Sequence, residues 1–178
     1  MFAGDKMRVR AIEKSDIDHV MKWVNNRTIT QHLLAFTLPV SRLAEEKWVE
    51  RAAIHGDADK FFAIETLQGE YLGNCGLHGI DGINRHCELG IVIGQEKFLG
   101  QGYGQDTIRV LLRVCFDVLN LNKVFLRVFS GNIRAIKCYE NCGFKQVGRL
   151  KEHRFVDGAW NDEILMEVLR ADYKQANS

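Results

Sequence analysis

Residues 98–104 read FLGQGYG, with Gly100, Gly102 and Gly104 just ahead of an amphipathic stretch. Glycine loses more backbone freedom on folding than any other residue, so three in alternation mark a place where something approaches the main chain too closely for side chains. A glycine-rich turn between a strand and a helix N-terminus is an anion site, because unpaired backbone N–H groups and the positive end of the helix dipole converge there. A Rossmann dinucleotide site would place its glycines directly after the strand and an acid about 20 positions further on. The next strand-like segment, KVFLRVFS, offers no such acid. A P-loop would carry Gly-Lys-Ser/Thr at the helix start, whereas Gly104 is followed by Gln105 and Asp106. The turn that remains suits the pyrophosphate of a carrier, or else simply feeds a helix packed close to a sheet.

A second constellation is NIRAIKCYENCGF, residues 132–144. Asn132 is a candidate N-cap, and Tyr139, seven residues on, returns to nearly the same helix face with Ala135 between them. One groove is thereby lined by an amide, a methyl group and a phenol. The plainer reading is a capped helix with a tyrosine at the edge of the core.

The elements that must position these residues can be read from periodicity. MRVRAI reads as a first strand, and Asp16 as the cap of a helix carrying Ile17, Val20, Met21 and Val24. NNRTITQHLLAFTLP reads as a loop-like, partly helical cover, followed by a helix over Arg42 to Ile54. KFFAIET, YLGNCGL and CELGIVI read as three strands joined as hairpins. From Gly102 to Leu119, residues Ile108, Leu111, Leu112, Cys115, Phe116 and Leu119 form one apolar helix face. KVFLRVF is a further strand, Asn132 opens a helix ending at Gly143, and FKQVGRLKEHRFV, a turn at Asp157-Gly158 and NDEILMEVL close the chain as a hairpin. This order is α+β, a strand-helix-strand-helix centre flanked by hairpins.

With 178 residues, 46% of them hydrophobic, the chain suits a single domain spanning 1–178. Its 24 basic and 23 acidic residues nearly cancel, which argues against whole-molecule attraction to nucleic acid or membrane. No basic stripe interleaved with aromatic residues marks a nucleic-acid surface. No signal peptide or spanning segment is evident, so a cytoplasmic protein is expected. The five cysteines, Cys75, Cys87, Cys115, Cys138 and Cys142, lack the paired short spacings of a metal site, and buried or half-buried free thiols are expected instead of metal ligands.

On these motifs the chain resembles the GCN5-related N-acetyltransferase (GNAT) superfamily. LGQGYG is similar to its acetyl-CoA loop, ELGIVI to its pantetheine-pairing strand, and N-x-x-A-x-x-x-Y-x-x-x-G-F to its second CoA segment. The order and spacing look most like the bacterial branch of ribosomal-protein N-terminal and spermidine acetyltransferases. Leu99 departs from the loop, which commonly has Gln or Arg there. The resemblance implies a mostly antiparallel twisted sheet with flanking helices and two central strands splayed apart, with a β-bulge behind the splay. It implies acetyl-CoA as co-substrate, the pantetheine arm on the backbone of Ile91, Val92 and Ile93, and the pyrophosphate on Leu99, Gly100, Gln101, Gly102, Tyr103 and Gly104. Asn132 and Ala135 would border the thiol region, with Tyr139 beside the sulfur.

Direct attack of an amine on a thioester needs a neutral amine, a donor for the thioester oxygen and a proton for the departing thiolate. Amines of pKa about 8 to 10.4 are mostly protonated at pH 7, so a base is needed. Glu88 is the candidate, since alternation in ELGIVI places it on the face of Gly90 and Val92; an ion pair with Arg85 or a neighbouring strand is its plainer reading. A main-chain N–H near Val92 is the implied oxygen donor, and Tyr139 the implied general acid. The acceptor, a small amine, an amino sugar or a peptide N-terminus, would enter between the early helices and the terminal hairpin. Candidate wall residues are Asn26, Arg27, Thr28, His32, Phe36, His78, Arg154, Trp160 and Glu163. A polyamine would favour a strongly acidic pocket, and Lys151, His153 and Arg154 offset Asp157, Asp162 and Glu163, so spermidine is not preferred. A non-catalytic acyl-CoA-binding regulator is the alternative class. Ile164, Leu165, Met166 and Val168 are candidates for extending a sheet across a homodimer.

Overall fold

The computed structural model describes residues 1–33, 38–54 and 56–176. In it the alternating segments assemble into one eight-stranded sheet, ordered β1-β2-β3-β4-β5-β6-β8-β7. The strands are β1 (Phe2–Ala3), β2 (Met7–Ala11), β3 (Lys60–Thr66), β4 (Tyr71–Asp81), β5 (His86–Ile93), β6 (Lys123–Phe129), β7 (Lys145–Val156) and β8 (Ala159–Leu169). Six of the seven pairings are antiparallel, and β5 with β6 is the parallel one. The helices are α1 (Ile17–Val20), α2 (Arg27–Thr30), α3 (Arg42–Ala53), α4 (Tyr103–Arg113), α5 (Ile133–Glu140) and α6 (Arg170–Ala176).

Alternation along the strands divides two cores between the two faces of the sheet. Cys87 and Leu89 of β5, Val124 and Leu126 of β6, and Ile164 and Met166 of β8 bury against Ile108, Leu111 and Leu112 of α4, with Phe116 beyond it. On the other face Ile17, Val20, Val24 and Val49 of the α1–α3 layer pack on Ala63 and Tyr71. The expected long helix from Gly102 starts at Tyr103 with Gly102 as its cap, and its last part is a π turn over Val114–Val118. The expected helix after Asp16 is shorter than its pattern, a 3₁₀ turn (Lys14–Asp16) running into the single turn of α1. The Asp16 carboxylate reaches back to the Glu13 N–H at 2.9 Å and to Arg10 at 2.7 Å instead of capping α1. Burial pushes this carboxyl up, and the Arg10 and Glu13 bonds outweigh that and hold it below its ordinary value.

The β5–β6 ladder supplies the opening. Its register runs only from His86↔Lys123 to Glu88↔Phe125, although the strands continue to Ile93 and Phe129. Past Glu88 each keeps its other neighbour, β5 pairing β4 to Ile93 and β6 pairing β8 to Phe129. One edge of each strand therefore faces a gap, at the carboxyl ends of a parallel pair where open α/β sheets bind ligands. A bulge lies in β4, one strand behind the gap: Ile64 and Glu65 of β3 pair with Gly73 and Tyr71, leaving Leu72 extra. There the Val92 carbonyl approaches so closely that a Cβ on Gly73 would stand 2.0 Å from it.

The terminal hairpin corrects one expectation. Ile164, Met166 and Val168 are buried in this chain's own core, because β8 inserts between β6 and β7 and leaves β7 at the edge. These three side chains present no surface to a second copy, while Leu165, on the other face of β8, is half-buried.

Candidate active site

The loop from β5 to α4 ends in two glycines with positive φ, Gly100 at 76° and Gly102 at 87°. Both values lie in the left-handed region that a side chain disfavours. Nothing stands within 4 Å of a Cβ built on Gly100, so the constraint there is backbone conformation and open space, not packing. The first main-chain bond of α4 is Asp106 N–H to the Gly102 carbonyl at 3.0 Å. Among the described residues the N–H groups of Gly100 through Gln105 donate to no protein acceptor. Unpaired amides at a helix N-terminus, with no Cβ at three positions, fit a pyrophosphate. Leu99 turns its side chain into the apolar layer beneath α1–α3. Phe98 and Tyr103 meet edge to face at 5.3 Å and brace the loop.

The end of β6 leads to α5, where the Asn132 side chain caps by accepting the Ala135 N–H at 3.2 Å. Gly143, with φ of 91°, ends the following turn. Tyr139 is 8% exposed and packs its ring against Phe144 at 5.9 Å. Burial pushes its phenol well above the ordinary value, and Cys138 and Cys142 add to the push. The hydroxyl therefore keeps its proton at neutral pH, and among the described residues it bonds no protein group. Both α4 and α5 begin at the carboxyl side of the gap, so the cradle and Asn132 belong to one end of the sheet, while Tyr139 lies near the far end of α5, about 10 Å further along the helix.

The opposite face carries charge across four strands. Glu88 is held by Arg127 of β6, with bonds of 2.8 and 3.1 Å to its two oxygens, and this pairing raises the Arg127 guanidinium further. Arg127 also stands 3.7 Å from Glu163 of β8, and Arg154 of β7 donates to the other Glu163 oxygen at 3.1 Å. Glu163 is 0% exposed, and its Oε1 accepts no hydrogen bond in spite of Arg127 nearby. The partner of Glu88 is thus on a neighbouring strand; Arg85 instead binds Asn120. Sequence reading missed Arg127, whose one signal was a cation in the middle of the strand-like KVFLRVF, among Val124, Phe125, Leu126, Val128 and Phe129. His78 pairs opposite Glu88 in β4, and its Nε2 would stand 3.0 Å from a Cβ on Gly90. Gly90 leaves the strand bare beneath that imidazole.

The other wall candidates are dispersed. Gln31, His32, Phe129, Asn132, Asp157 and Asn161 line a groove of about 290 Å³ between α2, the end of β6 and the hairpin tip. Burial, and then the charge of Arg134, holds His32 below its ordinary value. Arg27 ion-pairs with Asp157 and ties the early helices to the hairpin. Asn26 caps α2 through Thr28 N–H at 3.0 Å, and Trp160 is exposed at the tip against Phe155. Phe36 lies outside the described residues. All five cysteines are free, with Cys75, Cys87 and Cys115 buried and the other two half-buried. Among the described residues no helix is long and apolar enough to cross a membrane.

A split parallel strand pair, a glycine-opened helix N-terminus beside it and a buried phenol on the next helix define a transferase that draws its group from a phosphate-bearing carrier. The comparisons make this particular. The acetyltransferase (GNAT) domain model matches residues 6–145. Spermidine N(1)-acetyltransferase of Vibrio cholerae serotype O1 is 32% identical over 170 residues, 96% of each chain. That of Escherichia coli K12 is 27% identical over 173 residues, 97% of this chain and 91% of the relative. A crystal structure of the V. cholerae spermidine N-acetyltransferase in complex with CoA and spermine superposes with a TM-score of 0.86 at 30% identity, covering 94% of this chain and 98% of that one. The chain belongs to the GNAT family and is an acetyl-CoA-dependent N-acetyltransferase.

Proposed function

We propose that the acceptor is the primary amine of a polyamine such as spermidine or spermine, entering through the groove between α2 and the hairpin. The observation that carries this is likeness over nearly the whole chain to enzymes named for that substrate, which outweighs the balanced charge that argues against a polyamine. Asp157 on the groove rim and Glu88 beyond it are the carboxylates nearest this entry, each paired with an arginine, Arg27 and Arg127, that a cationic amine would have to share or displace.

Acetyl-CoA supplies the activated acetyl group. Gly100 to Gln105 hold its pyrophosphate through their amides, and the free β5 edge from Ile91 to Ile93 receives the pantetheine arm. Asn132 and Ala135 border the thiol. A main-chain N–H of the Ile91–Ile93 segment donates to the thioester oxygen, where negative charge grows during attack. Glu88 takes the amine proton through a water, since Arg127 occupies one side of the carboxylate and leaves its remaining lone pairs free. Tyr139 donates to the departing sulfur.

A second reading has one observation in its favour: Arg127 and Arg154 stand on the acceptor face, so an acceptor with an anionic group beside its amine would also be recognised. Thiol release with acetyl-CoA, measured for spermidine, spermine, amino acids, amino sugars and short peptides, separates the readings. We expect kcat/KM to be highest for a polyamine and to fall about 10²-fold or more in Glu88→Gln. Preference for a carboxylate-bearing amine would overturn the polyamine assignment, and a fully active Glu88→Gln would overturn the base.

A further inference from the structure

The donor loop is met by a cation from the far end of the sequence. Lys6, in the turn before β2, places its Nζ 2.9 Å from the Gln101 carbonyl and 3.5 Å from where a Cβ on Gly102 would stand. Among the described residues no carboxylate is within ion-pairing distance of that ammonium. By contrast Lys97, on the approach to the loop, is paired with Glu70. The base of Lys6 is fixed to the same helix that forms the cradle. Its N–H donates to Asp106 Oδ2 at 2.8 Å, and the Asp5 N–H donates to Oδ1 at 3.2 Å. Asp106 is 7% exposed in the first turn of α4, and a Cβ on Gly4 would stand 2.4 Å from its carboxylate. The N-terminal segment is therefore clamped to α4 with Lys6 aimed along the loop. The loop's own side chains contribute little polarity, since Leu99 is turned into the apolar layer and the Gln101 amide bonds back to the Lys97 carbonyl.

We propose that Lys6 is a pyrophosphate-binding residue of the donor site, its ammonium turning from the Gln101 carbonyl to a phosphate oxygen when acetyl-CoA occupies the loop. An ammonium has three donors, and one is used here. The carbonyl it now meets carries only a partial charge, whereas a phosphate oxygen carries a formal one, so Coulomb attraction favours the move toward phosphate. The four-carbon stem lets the head move while the clamped backbone stays. The role rests on the pyrophosphate lying at Gly100–Gly104; a wild-type chain unable to bind CoA would remove that reading itself.

The test compares wild type, Lys6→Met and Lys6→Arg in calorimetric titrations with CoA and 3′-dephospho-CoA, and in turnover with S-acetylpantetheine. Lys6→Met should weaken CoA about tenfold, about 1.4 kcal/mol, with less salt dependence than wild type, while Lys6→Arg stays near wild type. The same loss should appear with 3′-dephospho-CoA. Turnover with S-acetylpantetheine, which has no phosphate, should be equal in all three. Unchanged CoA affinity in Lys6→Met would overturn the proposal. So would a loss confined to CoA, which would put Lys6 on the 3′-phosphate. An equal loss with S-acetylpantetheine would reduce Lys6 to a brace for the loop and overturn it as well.

Discussion

Replacing Tyr139 by Phe removes one oxygen and keeps the ring that packs on Phe144. The hydroxyl bonds no described protein group, so its loss orphans no partner, and stability should change by no more than about 0.5 kcal/mol. The kinetic effect follows from the environment of the phenol. Burial holds it above its ordinary value of 10.0, whereas a free thiol titrates near 8.5. Complete proton transfer from phenol to thiolate is thus uphill, and in the proposed role the hydroxyl acts first as a hydrogen-bond donor to charge developing on sulfur. Loss of one such aimed donor typically costs about 10²–10³ in kcat, about 2.7–4 kcal/mol, the lower part of the wider range for general acids. Acetyl-CoA KM should stay near wild type, because the proposed binding contacts are the amide cradle and the strand edge, which the substitution leaves in place. Single-turnover acetyl transfer, followed by quenched sampling so that product release cannot mask chemistry, reads the effect directly. Wild-type kcat shows no descending limb from this phenol below pH 10 on the same reasoning. A Tyr139→Phe variant that turns over at the wild-type rate, with its fold intact, would refute the assignment.

Asp106→Ala should be costly, because it leaves the Asp5 and Lys6 amides without their charged acceptor. Bonds to charged groups contribute about 1.5–3 kcal/mol each; with the longer of the two bonds at the low end, we expect a loss of about 3–4.5 kcal/mol in denaturant unfolding. At about 2–4 °C per kcal/mol for a chain of this size, Tm should fall by several degrees or more. Glu45→Gln should be stabilising at neutral pH. Burial alone raises the Glu45 carboxyl above its ordinary 4.5, so ionised Glu45 weakens the fold at pH 7. That penalty is absent below pH 4.5, where both states are protonated, and grows as pH rises through the raised value. The Tm difference between Glu45→Gln and wild type should therefore widen from pH 4 to pH 7; a constant or reversed difference would contradict the burial argument.

Local chemistry in the sequence marked most of the elements and a phosphate-bearing donor, and the resemblance to the GNAT superfamily named that donor as acetyl-CoA. FLGQGYG announced a turn of unpaired amides, since glycine adopts the positive φ found at Gly100 and Gly102 without the strain a side chain would bring and the motif lies within one turn of chain. Ile108 to Phe116 marked the buried face of α4 because helical period and burial are both local in the sequence. Asn132 was legible as a cap for the same reason. What no local pattern carries is which strands become neighbours. The β5–β6 pairing stops at Glu88 and Phe125, and only the folded sheet shows that the free edges there form a cleft. Glu88 is separated by 39 positions from Arg127, its partner, and Lys6 by 95 from Gln101. Such contacts are created by topology, which puts β5 beside β6 and the N-terminal turn beside α4. The same insertion of β8 next to β6 buried Ile164, Met166 and Val168, residues whose composition alone suggested an exposed dimer edge. The sequence by itself determined a glycine-opened turn leading into a helix; the tertiary structure decided which distant charges stand beside it and beside the gap, because side chains far apart in the chain share a surface only after the sheet has formed.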